Sequence, residues 1–368
     1  MIAIGIILNK NTRKLIFINP IPKAMIFLSV YMLIVPFLYG NWLGVAVGIS
    51  MILVILLGLF LKSIMTNELY EKVLTVICVL SLISTSWAIS ERFVNIILNN
   101  GHSTHRISAM FSHPNYFGTV AGTVIIICAY KVFSQGHKWF CYIAIMNVIS
   151  IYLSKSMFAW VEVFIGITVL LLLLKKPLLL AVWLFGAALC GYLIFVLDIN
   201  VIPRLSDIAE TTKLHQGIWE LAVEQIKRSP FIGHGFMSYL YVFKNYYHYH
   251  PMVHAHSLYL DMMLNFGLMG ILPAMWYLIK FYRTVFRACF KAKNYLIATL
   301  VLSVTAAALV HGITDLTLFW IQTLPLFLII LAGMGVYDKH KGKASSAEIH
   351  LRIDNNSFHR VGPLKKVS

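Results

Sequence analysis

Ten apolar stretches decide what this chain can become. They cover residues 24–40, 42–61, 73–89, 115–133, 139–153, 157–174, 178–197, 257–279, 295–313 and 316–336, and a helix crossing a bilayer needs about 20 mostly apolar residues. In hydrocarbon every backbone N–H and C=O must be satisfied internally, so only helices and closed barrels survive there. These runs are continuous rather than alternating, which selects helices. The pattern predicts an all-α integral membrane protein, a polytopic helical bundle. With 59% hydrophobic and 12% charged residues, the chain departs from soluble domains, of which about a quarter is charged.

Lys and Arg set the expected orientation, because cytoplasmic loops carry them in excess. With both termini inside, 22 of the 30 fall on the inner side and 8 on the outer; the reverse topology inverts that ratio. The expected parts are a seven-span bundle (1–197), an extracytoplasmic loop (198–256), three further spans (257–336) and a basic cytoplasmic tail (337–368). The net charge of +16 then reads as a topology signal with attraction to anionic lipid. It does not read as a nucleic-acid surface, since Phe358 alone interleaves the basic tail. Four of the five cysteines lie inside apolar runs and Cys289 in a basic loop, so no disulfide scaffold is expected.

Ten of the fourteen histidines fall on the outer side under this topology. Most lie in the two long outer segments, 90–114 and 198–256. Within the second, TTKLHQGIWELAVEQIKRSP predicts a helix capped by Thr211 or Thr212 and stopped at Ser229-Pro230. Trp219, Ala222, Val223 and Ile226 give it one apolar face, expected to rest on the membrane surface or on the bundle. FIGHGF follows, with Gly233 and Gly235 suited to a tight turn or a close approach. YVFKNYYHYHP is rich in aromatics with polar tips, which favour a wet interface and also sugar faces.

At the lip of the eighth span stands VHAHSLYLDMMLNFGLMG, residues 253–270. Its His254 and His256 allow three readings: zinc ligands, structural histidines bonded to carbonyls, or a general base. A metal set lacks a cysteine or neighbouring carboxylate, since Asp261 sits five residues beyond His256, so no metal is expected. A base needs a titratable group near neutral pH in a cleft, and that fits best. Asp261, Glu162 and Asp315, at or near spans, read as partners in structural ion pairs or hydrogen bonds.

These residues resemble the O-antigen ligase and polymerase (Wzy/WaaL-type) membrane glycosyltransferases. The likeness rests on GIWELAVEQIKRSPFIGHGF, with its P-x-x-G-x-G turn, followed by HAHSLYLDMMLNFGLMGIL. RISAMFSHPNYFGT with its Pro-Asn pair, and YLSKSMF in the place of a Ser-Arg or Thr-Arg element, precede them in the expected order. It covers roughly residues 100–275. It implies a GT-C-like bundle in the bacterial inner membrane, about ten spans, with a periplasmic active site.

The resemblance further implies transfer of an undecaprenyl-pyrophosphate-linked glycan to an acceptor sugar hydroxyl, without cofactor or metal. A polymerase would use another lipid-linked repeat unit as acceptor; a ligase would use lipid A-core. A chain-length regulator and a flippase of the same pathway would be partners besides the bilayer, and nucleic acid would not. By the same likeness His256 is the base and His254 its neighbour. Lys155 and His215 stand where the family carries arginines, and a lysine lacks the bidentate fork of arginine. Arg204, Arg106 or Lys213 are candidates to supply the missing charge to the pyrophosphate. The competing class, a transporter or flippase, predicts internal repeats and helices broken near the midplane; no repeat is visible, and the ionisable groups gather in the outer loops.

Overall fold

The computed structural model describes residues 23–98, 105–197, 202–203, 208–246, 252–291, 295–316 and 320–337. Among these residues the chain is helical and has no strand. The helices are α1 Lys23–Leu38, α2 Trp42–Ile64, α3 Asn67–Leu98, α4 Pro114–Gln135, α5 Trp139–Ser154, α6 Met157–Leu173 and α7 Pro177–Phe195. After them come α8 Ile208–Arg228, α9 Ser238–Tyr246, α10 Leu258–Lys291, α11 Leu296–His311 and α12 Leu324–Ala332, the last running into a 3₁₀ turn, Gly333–Tyr337. Five of them, α2, α3, α4, α7 and α10, are long and apolar enough to cross a membrane, and five shorter apolar helices accompany them. Each of the ten apolar stretches overlaps one of these helices, the last, 316–336, only from Leu324 onward. Long exposed apolar faces, such as Leu178, Val182 and Phe185 on α7, are what a helix facing lipid presents.

The centre of the bundle is α4 packed against α5, α6 and α11, and α11 against α6. Small residues make that closeness possible. A Cβ at Gly118 of α4 would sit 2.7 Å from the Ser156 Cβ at the start of α6, so only glycine lets the α5–α6 turn approach. Proline at its first position and the His113 side chain, whose Nδ1 accepts the Asn115 amide at 3.2 Å, start α4. Gly136 in the left-handed region ends it. The start of α4, the α5–α6 turn, the end of α11 and the beginning of α10 therefore meet at one end of the bundle.

Two elements differ from the sequence expectation. The buried face of α8 is Ile218, Leu221, Ala222 and Gln225, whereas Val223 is exposed. The face is turned by about one residue, because α8 packs against α9, Ala255 and Leu264 of the bundle rather than against a flat membrane surface. The second is the GLMG span, expected to run unbroken. Helix α10 breaks at Gly267, with φ 52° and ψ −172°. The segment 230–235 fills the break. The His234 and Gly235 amides donate to the carbonyls of Leu264 and Asn265 at 2.8 and 2.9 Å, and the Leu268 and Met269 amides donate to those of Pro230 and Phe231 at 3.0 and 2.9 Å. Interrupted backbone at membrane depth is tolerated only where protein satisfies it, and the P-x-x-G-x-G turn does this. Tyr31 and Asn41 of the α1–α2 hairpin hold the turn by donating to the Ile232 and Phe236 carbonyls at 2.6 and 2.7 Å.

Candidate active site

The histidine pair sits in the short segment between α9 and α10, and three contacts shape it. The Leu258 amide donates to the Gly312 carbonyl at 2.7 Å, tying the start of α10 to the end of α11. The Ala255 amide donates to Asp261 Oδ1 at 3.0 Å. Trp219 of α8 donates through Nε1 to the His256 carbonyl at 3.2 Å. His256 adopts φ 45°, a left-handed backbone that is costly for a residue with a Cβ and persists only where its surroundings impose it.

Between the imidazoles lies Asp315, from the turn after α11. Its Oδ1 is 3.8 Å from His254 Nε2 and 3.9 Å from His256 Nδ1. Sequence reasoning had treated Asp315 as a structural partner and found no carboxylate to complete a set with the histidines. The fold supplies it from 59 residues downstream of His256. Asp315 and His254 are almost fully buried, at 2% and 6% side-chain exposure, while His256 keeps 16%. His256 is thus the more accessible of the two imidazoles.

A polar relay extends from the carboxylate. Asn115 of α4 donates through Nδ2 to Asp315 Oδ2 at 2.6 Å, and its Oδ1 accepts a short bond from Arg106 Nη2. Arg106 also donates through Nε to the Ser154 carbonyl at 3.1 Å, one residue before Lys155. Lys155 holds φ 51° at the end of α5. Two of the expected cations therefore converge on the same end of the molecule as the histidines. His215 joins them, its ring stacked on His256 at 5.5 Å between centroids and 20° between planes. Lys213 is exposed on α8, and Arg204 lies outside the described residues.

Aromatic rings surround the pair. Trp320 stacks on Tyr116 at 5.2 Å and meets His254 edge-on at 5.9 Å; Tyr116 Oη lies 3.3 Å from His254 Nε2. Neither ring was singled out from sequence. The only hint was Tyr116's place in the HPNYFG stretch, and Trp320 had none.

Protonation follows from this geometry. The His256 amide donates to His254 Nδ1 at 3.2 Å; an amide only donates, so neutral His254 carries its proton on Nε2, toward Asp315 and Tyr116. Burial pushes the His254 pKa down, against the pull of Asp315. Burial, then His254, push His256 down to about 4, with Asp315 opposing. His215 is lowered by burial and then by His256. For Asp315, burial alone would raise the pKa; the imidazoles of His254, His256 and His311 and the Asn115 bond outweigh it and hold it at about 2. Near pH 7 the site is thus an ionised carboxylate beside neutral imidazoles, with a lone pair free to accept a proton.

The same three side chains also have metal-ligand chemistry, with ligand atoms all within 4.8 Å of one another. Two of the three already accept hydrogen bonds within the protein. His254 Nδ1 takes the His256 amide, and Asp315 takes the Leu316 amide at 2.7 Å on Oδ1 besides Asn115 on Oδ2.

Compared with known families, the decisive stretch is the one from α5 to the break in α10. Residues 142–275 match the family model described as O-antigen ligase. That segment holds Lys155, His215, Trp219, the P-x-x-G-x-G turn and both histidines, while RISAMFSHPNYFGT at 106–119 lies before it. The matched segment is thus similar to the O-antigen ligase family, and the apolar helices are those of a multi-pass membrane protein. No curated protein matches the chain.

Proposed function

We propose that the chain transfers a glycan from undecaprenyl pyrophosphate to an acceptor sugar hydroxyl at the outer face of the bacterial inner membrane, with His256 as general base. The observation that carries this reading is the His254–His256–Asp315 cluster lying at the same end of the bundle as Arg106 and Lys155. Group transfer from a pyrophosphate needs both a proton acceptor and cations for the leaving group. In the proposed step the acceptor O–H gives its proton to His256 as its oxygen bonds to the anomeric carbon. The bond from that carbon to the pyrophosphate oxygen breaks, and the lipid pyrophosphate leaves with the electron pair, stabilised by Arg106 and Lys155. His254 orients, and ionised Asp315 supports the imidazolium that forms. An arriving pyrophosphate adds negative charge, which raises the His256 pKa from about 4 toward neutrality and makes it a better base once donor is bound.

The inside location of the N-terminus belongs to the same proposal, as does the division into seven spans, loop, three spans and tail. A reporter fused near Lys244 should be extracytoplasmic. The break at Gly267 is a feature expected of a transporter. Here the backbone groups it frees are taken up by 230–235, which favours a plugged scaffold over a moving gate. Deleting the gene and running surface polysaccharide on a gel tests the function. Acceptor bearing single repeat units marks a polymerase, and polymer stranded on its lipid carrier marks a ligase. Unchanged surface glycan contradicts the proposal.

A further inference from the structure

Asp261 has no part in the chemistry above, yet its carboxylate is buried at 4% exposure directly beneath the histidine pair. One oxygen accepts the Ala255 amide, the peptide between the two histidines, at 3.0 Å. The other accepts Asn265 Nδ2 at 2.6 Å. Asn265 in turn accepts Ser238 Oγ at 3.0 Å through its side-chain oxygen, and its backbone carbonyl accepts the Gly235 amide at 2.9 Å. The chain of contacts runs from the plugged break in α10 to the turn that presents His256.

We infer that Asp261, with Asn265 and Ser238 behind it, is a positioning relay for the base: it locks the 254–256 turn so that His256 faces its substrate beside Asp315. The inference rests on His256 being the base. Three observations support it. The Ala255 amide, between the two histidines, is tied to Asp261 at 3.0 Å, and the two imidazoles it separates both meet Asp315, at 3.8 and 3.9 Å. His256 pays for its left-handed backbone at φ 45°, and such a turn relaxes unless its amide bonds hold it. Finally, Asp261, Asn265 and Ser238 are all buried, and a satisfied buried network specifies one arrangement. The relay needs an acceptor for the Ala255 N–H, not a charge.

The test compares Asp261→Leu, close in size but unable to accept, with Asp261→Asn, which keeps an oxygen for the Ala255 amide. In the asparagine variant Asn265 can turn its amide over, and the Ser238 hydroxyl can rotate to suit. Full-length protein in nanodiscs is assayed with the lipid-pyrophosphate glycan fraction extracted from cells lacking this chain. The same fraction, or lipid A-core, serves as acceptor. Asp261→Leu is expected to lower kcat by about tenfold or more, since small misplacements of a reacting group are costly, with KM within about threefold. Asp261→Asn should stay within about threefold in both. A Leu variant with wild-type kcat overturns the relay, and so does an Asn variant as slow as Leu, which would mean the charge itself is used. If the Leu variant does not reach the membrane, Ser238→Ala carries the test. It loosens Asn265 from the far side and should lower kcat about threefold at constant KM; unchanged kcat there overturns the inference. His256→Ala runs beside them: inactive, it isolates a failure to the relay; active, it removes the base assignment itself.

Discussion

The two ends of α4 each bury a charged cluster, and they are built differently. At one end Lys131, 0% exposed, bonds Glu71 Oε2 at 2.7 Å and the Glu71 carbonyl at 3.1 Å. Tyr130 and Gln135 donate to the same carboxylate at 2.5 and 3.1 Å, and Phe140 lies under the ammonium at 5.3 Å. Every strong valence is closed by a short contact. Roughly 24 Å away along the helix, at about 1.5 Å a residue, Asp315 is closed on one side by Asn115 and Leu316. It faces His254 and His256 across 3.8 and 3.9 Å. A buried pair that only holds helices together gains by saturation. Under the proposed function the cluster takes a proton from a third molecule, so one member has to stay unsaturated, and that member would be His256.

If this contrast is right, damage at the two ends separates stability from turnover. The largest effect falls on Asp315→Ala, which removes the anion supporting both imidazoles. Glycan transfer should drop about 100-fold or more at an unchanged membrane level. Lys131→Met should do the opposite, leaving Glu71, whose side chain is 20% exposed, without its cation. A loss of about 1–3 kcal/mol of stability, read as a lower unfolding temperature in detergent, should come with near-normal activity per folded molecule. Equal activity loss at both ends would erase the distinction.

Titration gives the next effect. The kcat/KM profile, reporting the free enzyme, should rise with pH through about 4, the value to which burial and His254 bring His256. The kcat profile should rise at higher pH, because bound pyrophosphate raises the same group. Stability has a matching sign. The folded pKa of His256 lies below the unfolded value of about 6.5, so the unfolded chain takes the proton first. The stability is present above that pH and is lost as pH falls toward 4. Coincident kcat and kcat/KM midpoints would remove the donor's influence on the base. EDTA should leave transfer unchanged, whereas loss restored by Zn²⁺ would make His254, His256 and Asp315 a metal site. The smallest effect is Lys155→Arg, expected to keep activity within about threefold, since arginine adds a fork to the same charge.

Much of the fold was legible in the residues, and its limits were physical. The apolar runs mark the ten helices because hydropathy alone selects them. The α8 face was misread by about one residue, because Val223 and Ala222 are both apolar and only the partner surface decides which turns inward. The break at Gly267 was hidden since a glycine in an apolar run reads as ordinary helix; its cause lies in 230–235, more than thirty residues earlier. His254 and His256 were visible as a pair of titratable groups at the end of an apolar run. Asp315 was visible only as a lone acid at the end of another run, for nothing local tells which helix ends meet. Asn115 stood in a quoted motif without a role, because a bridge between Arg106 and Asp315 exists only after folding.

The central claim is that the exposed member of the histidine pair removes the acceptor's proton. The direct measurement is the rate of glycan transfer by His256→Ala against wild type at equal membrane level, with lipid-linked donor supplied in excess. The account predicts a fall of about 10²–10⁴-fold, the usual contribution of a general base, with donor binding retained. Wild-type transfer by His256→Ala would contradict it and leave the pair as a structural turn bonded to Asp315.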